Sequence, residues 1–403
     1  MRLFASVATL MAAALLSLPI HGDEWPRFRG PQGNGYSPLK GVPATWTESD
    51  FEWKVELPGV GHSSPIVWGN KLFLTTGTED GDRSMRCLDA LTGRELWSDT
   101  VKLGANPLHK KNSYASGTPT ADEERVYISH ADTGQYVVIA YTHAGEKIWS
   151  EDLGPFVGQH GQGMSLLIFK DLLIVPNDQD GPSSIVALNR KTGKRVWAND
   201  RPSREVSYST PFVFDKGPKP QLICASGVTG ITGLDLDSGK TLWSSAPMDK
   251  RTVGSLVEAG GFVFVTCGSG GRGSLMLGIN PLAPDSNPIG LTKGMPYVPT
   301  PVGKGDLLFL WTDDGFAACL DVASRQEIWR KRVSGNYSAS PILIDDKIYA
   351  VGEDGQVAVV AANREFELFG KSPIGDNSFS TPAVANGRVY FRGFHTLASL
   401  KAK

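Results

Sequence analysis

Eight side chains able to carry charge or to hydrogen-bond recur three to five residues ahead of eight similar stretches of the chain: His62, Tyr114, His160, Tyr208, Arg251, Tyr297, Tyr337 and Asn377. If those stretches are repeats of one structural unit, the eight residues fall on one ring. Imidazole, phenol, guanidinium and amide groups mixed in this way suit a polar ligand such as a sugar, a peptide or an acidic group. The alternative is that they only pack and solvate a surface. The run His109-Lys-Lys-Asn-Ser-Tyr114 is basic, and with Arg251 it would favour an anion. Asn177-Asp178-Gln179-Asp180-Gly181 sets oxygen ligands at alternate positions, as Ca²⁺ requires. The rest of a calcium loop is missing, and a polar turn capped by its own side chains accounts for Asp178 and Asp180 equally well.

Other chemistries find less support. His62, His130, His143, His160 and His395 are joined by no H-x-H or H-E-x-x-H spacing, which argues against zinc. No G-x-S-x-G elbow is present. Gly268-Ser-Gly-Gly-Arg-Gly273 joins two strands, so it offers no helix N-terminus to a phosphate. Cys87, Cys224, Cys267 and Cys319 form no C-x-x-C pair. All four read as buried small side chains, with a disulfide between Cys224 and Cys267 left open.

The elements that must position these residues are legible in a recurring phrase. Cys87-Leu-Asp-Ala-Leu-Thr-Gly-Arg-Glu-Leu-Trp97 returns as Ala187-Leu-Asn-Arg-Lys-Thr-Gly-Lys-Arg-Val-Trp197 and as Gly233-Leu-Asp-Leu-Asp-Ser-Gly-Lys-Thr-Leu-Trp243, with weaker copies ending at Trp149 and Trp329. A period of roughly 40–50 residues signals a propeller or a solenoid. A second marker, a small residue and usually Pro ahead of a β-rich run, puts repeat starts at 65, 119, 165, 211, 255, 301, 341 and 382. Within a repeat, Pro65-Ile-Val-Trp68, Lys71-Leu-Phe-Leu-Thr-Thr76, Met85-Arg-Cys-Leu-Asp89 and Arg94-Glu-Leu-Trp97 are separated by Gly-, Asn- and Asp-rich turns. Four short antiparallel strands make one propeller blade. The chain therefore reads as all-β, an eight-bladed β-propeller over residues 23–403.

Each terminal Trp is expected to fill the wedge between neighbouring blades, with its N–H on the next blade's turn. In the fifth repeat the phrase dissolves into Gly278-Ile-Asn-Pro-Leu-Ala-Pro-Asp-Ser-Asn-Pro288, which predicts an irregular outer edge. The eighth repeat ends without its Trp strand. Phe51-Glu-Trp53-Lys-Val-Glu-Leu57 supplies one from the other end of the chain, so the ring closes and its sheet edges are covered. Trp53 then joins Trp97, Trp149, Trp197, Trp243 and Trp329 as a docking residue.

The 403 residues carry a net charge of −2, and 20% of them are charged. No clustered basic stripe points to nucleic acid. Residues 1–22 hold one positive charge, a short apolar run and a break at Pro19 and Gly22, the pattern of a cleaved secretory signal. No Cys follows to carry a lipid, and no later stretch is apolar enough to span a membrane. The mature chain is expected as a periplasmic or secreted monomer.

The phrase Leu-Asp-x-x-Thr-Gly-x-x-x-Trp resembles the repeat of the pyrroloquinoline-quinone-like β-propellers, a family that includes quinoprotein alcohol dehydrogenases and the BamB lipoprotein of outer-membrane assembly. The resemblance covers roughly residues 25–403. Trp25-Pro-Arg-Phe-Arg-Gly-Pro31-Gln-Gly33-Asn34-Gly35 and Leu173-Ile-Val-Pro-Asn-Asp178-Gln-Asp180-Gly181 look like a secreted branch of it. The resemblance implies one of two roles. The first is non-catalytic binding or scaffolding of an envelope protein or a polar small molecule. The second is oxidation of an alcohol or sugar by pyrroloquinoline quinone (PQQ) with Ca²⁺ in the channel. The adjacent cysteines and the C-x-x-C-H of the redox members are missing here, and so is the lipid-bearing Cys of an assembly lipoprotein. A polysaccharide lyase or hydrolase has no motif in its favour.

Overall fold

In a computed structural model the chain folds into eight small antiparallel sheets set in a ring, a β-propeller. Residues 24–202 and 205–403 are described. The expected leader, residues 1–22, lies outside them. Blade 1 is built from Ile66–Trp68, Lys71–Gly77, Arg83–Asp89 and Glu95–Val101, running from the axis outward. Blades 2, 3, 4, 6 and 7 repeat this order, beginning with strands that open at Thr120, Leu167, Phe212, Val302 and Ile342, and in blade 7 Tyr36–Ser37 of the N-terminal segment adds parallel to the innermost strand. Blade 8 takes Ala383–Ala385, Arg388–Arg392 and Thr396–Lys401 from the C-terminal end and Phe51–Glu56 from the N-terminal end, with Trp53 opposite Ser399. The ring is thus closed as the repeat count requires.

The repeated phrase works because it carries both a knob and its hole. Trp97 donates its indole N–H to His143 O (3.1 Å), Trp149 to Arg190 O (3.1 Å), Trp197 to Leu236 O (3.0 Å) and Trp329 to Asn363 O (3.2 Å), each on the following blade. The indoles of Trp53, Trp97, Trp149 and Trp197 lie on turn glycines of the following blade. A Cβ on Gly93 would stand 2.7 Å from the Trp53 ring, one on Gly145 2.7 Å from Trp97, and one on Gly193 2.7 Å from Trp149. These glycines also have positive φ, which side-chain-bearing residues rarely adopt. Two residues depart from this: the Trp53 indole N–H is buried without a hydrogen-bond partner, and Trp243 faces blade 5, where the repeat phrase dissolves. Trp243 donates instead to Gln221 Oε1 of its own blade (2.7 Å).

The sequence did not announce how the Trp is aimed. Among the described residues, seven of the eight outer strands carry a β-bulge just before the Trp position, with Glu52, Leu96, Ile148, Val196, Leu242, Ile328 and Phe369 as the extra residues. A bulge bends and twists its strand, which turns the indole toward the next blade. It also pushes the preceding residue outward, and that is why apolar Leu96, Ile148, Val196 and Leu242 are exposed.

The core lies between blades. Apolar clusters fill the successive interfaces, and the clusters of blades 7, 8 and 1 merge around Trp25, Val42 and Trp46 of the N-terminal segment. Cys224 packs between blades 3 and 4, and Cys267 between blades 4 and 5. They belong to different sheets and face different interfaces, and all four cysteines are free thiols, so the disulfide left open by sequence does not form.

Blade 5 departs from the pattern as its sequence foretold. Its outer strand is only Ile289–Leu291, beyond the Pro-rich stretch. It gains an extra two-residue strand, Arg251–Thr252, paired with Gly268 and Cys267 of its long second strand.

Candidate functional site

The axis of the ring holds a cavity of about 1130 Å³. Its wall begins with the repeat markers. Ser64, Thr118, Ser165, Thr210, Ser255, Thr300, Ser340 and Thr381, one from each blade, all line it. The backbone N–H of one marker donates to the hydroxyl of the next: Ser64 to Thr118 (3.0 Å), Thr118 to Ser165 (3.1 Å), Thr210 to Ser255 (3.0 Å), Ser255 to Thr300 (2.8 Å), Thr300 to Ser340 (3.0 Å) and Ser340 to Thr381 (3.0 Å). A hydroxyl that accepts in this way keeps its own proton to offer elsewhere. The position read from sequence merely as small is thus a hydroxyl at every repeat, and that uniformity was the available signal.

The N-terminal segment closes the floor. Trp25 exchanges backbone hydrogen bonds with Val67 of blade 1 (2.9 Å each way), and Pro26 O accepts from Ala121 of blade 2 (2.8 Å). The chain then reaches the far side of the ring. There Arg29 donates to Thr300 O (3.2 Å), Pro301 O (2.7 Å) and Pro341 O (3.1 Å) of blades 6 and 7, and Gly35 O accepts from Leu343 (2.7 Å). Phe28 projects into the cavity between these anchors. Arg29 is fully buried and makes no ion pair among the described residues, so desolvation draws its pKa down to about 9. Among the described residues this segment crosses the base of the cavity and makes it blind there, leaving the mouth at the face where the blades' connecting loops converge.

Five of the eight sequence-selected residues, His62, His160, Tyr208, Arg251 and Tyr297, line the cavity. Three do not, because the loops differ in length and the spacing before each marker does not fix where a side chain points. Tyr114 exchanges hydrogen bonds with the backbone of Asn106 under the Arg83 guanidinium. Tyr337 is buried against Trp311, its hydroxyl on Ser334 O (3.1 Å). Asn377 is exposed at the rim. Asp178 and Asp180 are also committed elsewhere. Asp178 is buried beside Arg201 (3.1 Å), and Asp180 accepts the backbone N–H of Gln159 and of Val206 (2.9 Å each).

Several cavity residues were not foreseen. Asp313, in a tight turn of blade 6, accepts the backbone N–H of Tyr297 (2.7 Å) and of Val298 (3.2 Å). Burial outweighs these bonds and raises its pKa to about 6. The loop before blade 2 forms a strap over the mouth. Lys111 reaches Glu353 (2.6 Å) and Ser338 (3.3 Å) of blade 7, the His109 ring stands edge-on to His160 at 5.1 Å, and Asn112 donates to His160 O (2.6 Å). Burial and neighbouring cations, Arg251 among them, lower the pKa of both His109 and His160. His62 sits between Phe379 and Phe394, each at 4.9 Å, and burial beside Arg392 drops its pKa to about 3, so it is neutral at physiological pH.

Among the described residues no group of three or more His, Cys, Asp or Glu is arranged to hold a metal ion, and no helix is long and apolar enough to cross a membrane.

Residues 229–365 match the family model described as outer membrane protein assembly factor BamB. No curated protein sequence gives a significant match. Among solved structures, BamB from Moraxella catarrhalis aligns with a TM-score of 0.62 at 14% identity, covering 88% of this chain and 97% of that one. Quinohemoprotein alcohol dehydrogenase from Comamonas testosteroni aligns with a TM-score of 0.64 at 13% identity, covering 94% and 80%. A europium-containing methanol dehydrogenase aligns with a TM-score of 0.56 at 13% identity, covering 85% and 90%. Identities this low speak to the fold and leave the activity open. The repeat phrase in register, the blade order and the matched segment agree: the chain is a β-propeller similar in fold to the pyrroloquinoline-quinone-like propellers.

Proposed function

We propose that this protein is a non-catalytic binding propeller of the cell envelope, which seats a small polar molecule in its axial cavity through the loop face. The blind cavity carries the reading. A floor sealed by Phe28 and the Arg29 segment suits capture of a ligand rather than passage through a pore, and its hydroxyl, imidazole and phenol lining suits a polar one. Export is supported by the leader-like residues 1–22 and by the outer-membrane description of the matched family model. An envelope protein docking on the same face is the wider form of this reading.

The competing reading is a quinoprotein oxidoreductase. One observation favours it: Asp313, a carboxyl with a raised pKa in the cavity, has the character of a proton acceptor. The donor set does not match the cofactor. Ca²⁺ beside a quinone asks for several free oxygen ligands, whereas Asp313 is engaged by two amides, Glu353 by Lys111 and Ser338, and Glu205 by Arg251. The four cysteines are isolated in blade interfaces, away from the cavity lining.

The test is a thermal-shift screen of amino acids, sugars and organic acids, run on the wild type and on a His160→Ala, Tyr208→Ala double variant. Stabilisation of the wild type alone, with both proteins folded, is expected. Equal shifts in the two proteins would move the site elsewhere. Saturable binding of PQQ with Ca²⁺, together with dye-linked alcohol oxidation, would replace the reading with the oxidoreductase.

A further inference from the structure

Resting on that reading, the geometry points to a specific ligand class: a small polyol bearing one oxyanion, such as a uronate or a phosphorylated sugar, with the anion seated on Arg251. Blade 5 has an additional two-residue strand, Arg251–Thr252, held by pairing with Gly268 and Cys267. A backbone fixed in a sheet positions a side chain more sharply than a loop does. The guanidinium lines the cavity and is mostly buried. Its Nε stands 3.5 Å from Glu205 Oε2, an ion pair that falls short of hydrogen-bond geometry. A buried donor held only at ion-pair distance is under-satisfied, and an oxyanion arriving through the mouth adds a charge-assisted bond to the guanidinium.

The surroundings repeat the preference. His160 stands beside the guanidinium on blade 3, and the strap brings His109 and Lys110 to the same side of the mouth. Both imidazoles feel Arg251 as a neighbouring positive charge. Tyr208 and Tyr297 line the wall next to it and feel the same charge.

The rest of the cavity fits the remainder of such a molecule. Sugar hydroxyls need both acceptors and donors. Glu353 Oε2, which neither Lys111 nor Ser338 engages, and the second lone pairs of the Asp313 oxygens supply acceptors on blades 7 and 6, and the ring of Ser and Thr hydroxyls supplies donors below. Phe28 and Phe379 give apolar surface for a sugar face.

The experiment is calorimetric titration of the full mature chain with three probes, D-glucuronate, D-glucose 6-phosphate and D-glucose, at low and high salt. At least one anionic probe is expected to bind at least ~10-fold more tightly than glucose, the scale of one charge-assisted contact. Added salt should erode that margin. Preference for the carboxylate or for the phosphate identifies the anion. Arg251→Gln should erase the margin and leave the weak binding of glucose. Should Arg251→Gln fail to fold, Lys110→Gln, exposed on the strap, should narrow the margin without touching glucose. Glucose binding as tightly as both anions overturns the anionic assignment and leaves the cavity reading standing. No heat from any probe also overturns it, and the cavity reading is then decided by the double-variant screen.

Discussion

At the scale of single residues, a carboxyl buried without a cation behaves differently from one on the surface. Asp313 is held by two amides, yet burial raises its pKa from 3.8 to about 6. Between those values the folded chain keeps a proton that the unfolded chain has released. Stability should therefore fall as pH rises from about 4 to about 6 and level off above. The effect is on the order of 3 kcal/mol. Urea denaturation across this range, on the wild type and on Asp313→Asn, checks it: the variant should lose this component of the slope, and an unchanged slope would assign the titration to another group.

The element that matters is the blade, and its unit of assembly is an indole on a glycine turn. Gly193 has φ of +73° and lies under Trp149, so Gly193→Ala adds backbone strain and an overlap at once. A loss of about 2–4 kcal/mol is expected. Gly69 also has positive φ, +54°, but a Cβ there meets nothing within 4 Å. Gly69→Ala should lose only about 1 kcal/mol. Denaturation midpoints of the two variants separate docking from turn geometry, and equal losses would mean that the indole contact contributes little.

For the whole molecule the decisive contact is the closure of the ring. Residues 51–56 form the outer strand of blade 8, and Trp53 lies on Gly93 of blade 1. Deleting residues 51–57 should strip blade 8 of its outer strand and expose the interface to blade 1. The melting temperature should drop and binding of a hydrophobic dye should rise. A melting temperature equal to that of the intact chain would show that the ring holds without this strand. The same N-terminal region explains why the cavity is blind, since the segment from Trp25 to Gly35 spans the base before the chain reaches blade 8.

The sequence by itself determined the repeat number, the order of strands, the docking role of the Trp residues and the strand exchanged between the chain ends. These depend on local periodicity and on turn chemistry, which recur in register and can be counted. It also marked five of the cavity residues, because the chain just before each first strand must pass near the axis. Only the tertiary structure decided that Tyr114, Tyr337 and Asn377 stand apart from the cavity, that bulges aim the indoles, that the N-terminal segment seals the floor, and that Lys111 crosses the mouth to Glu353. Those outcomes rest on contacts between residues far apart in the chain, such as Arg29 with Thr300 and Pro341. Such a contact leaves no periodic trace in the sequence, because each of its partners occurs once and their meeting is set by the closure of the ring.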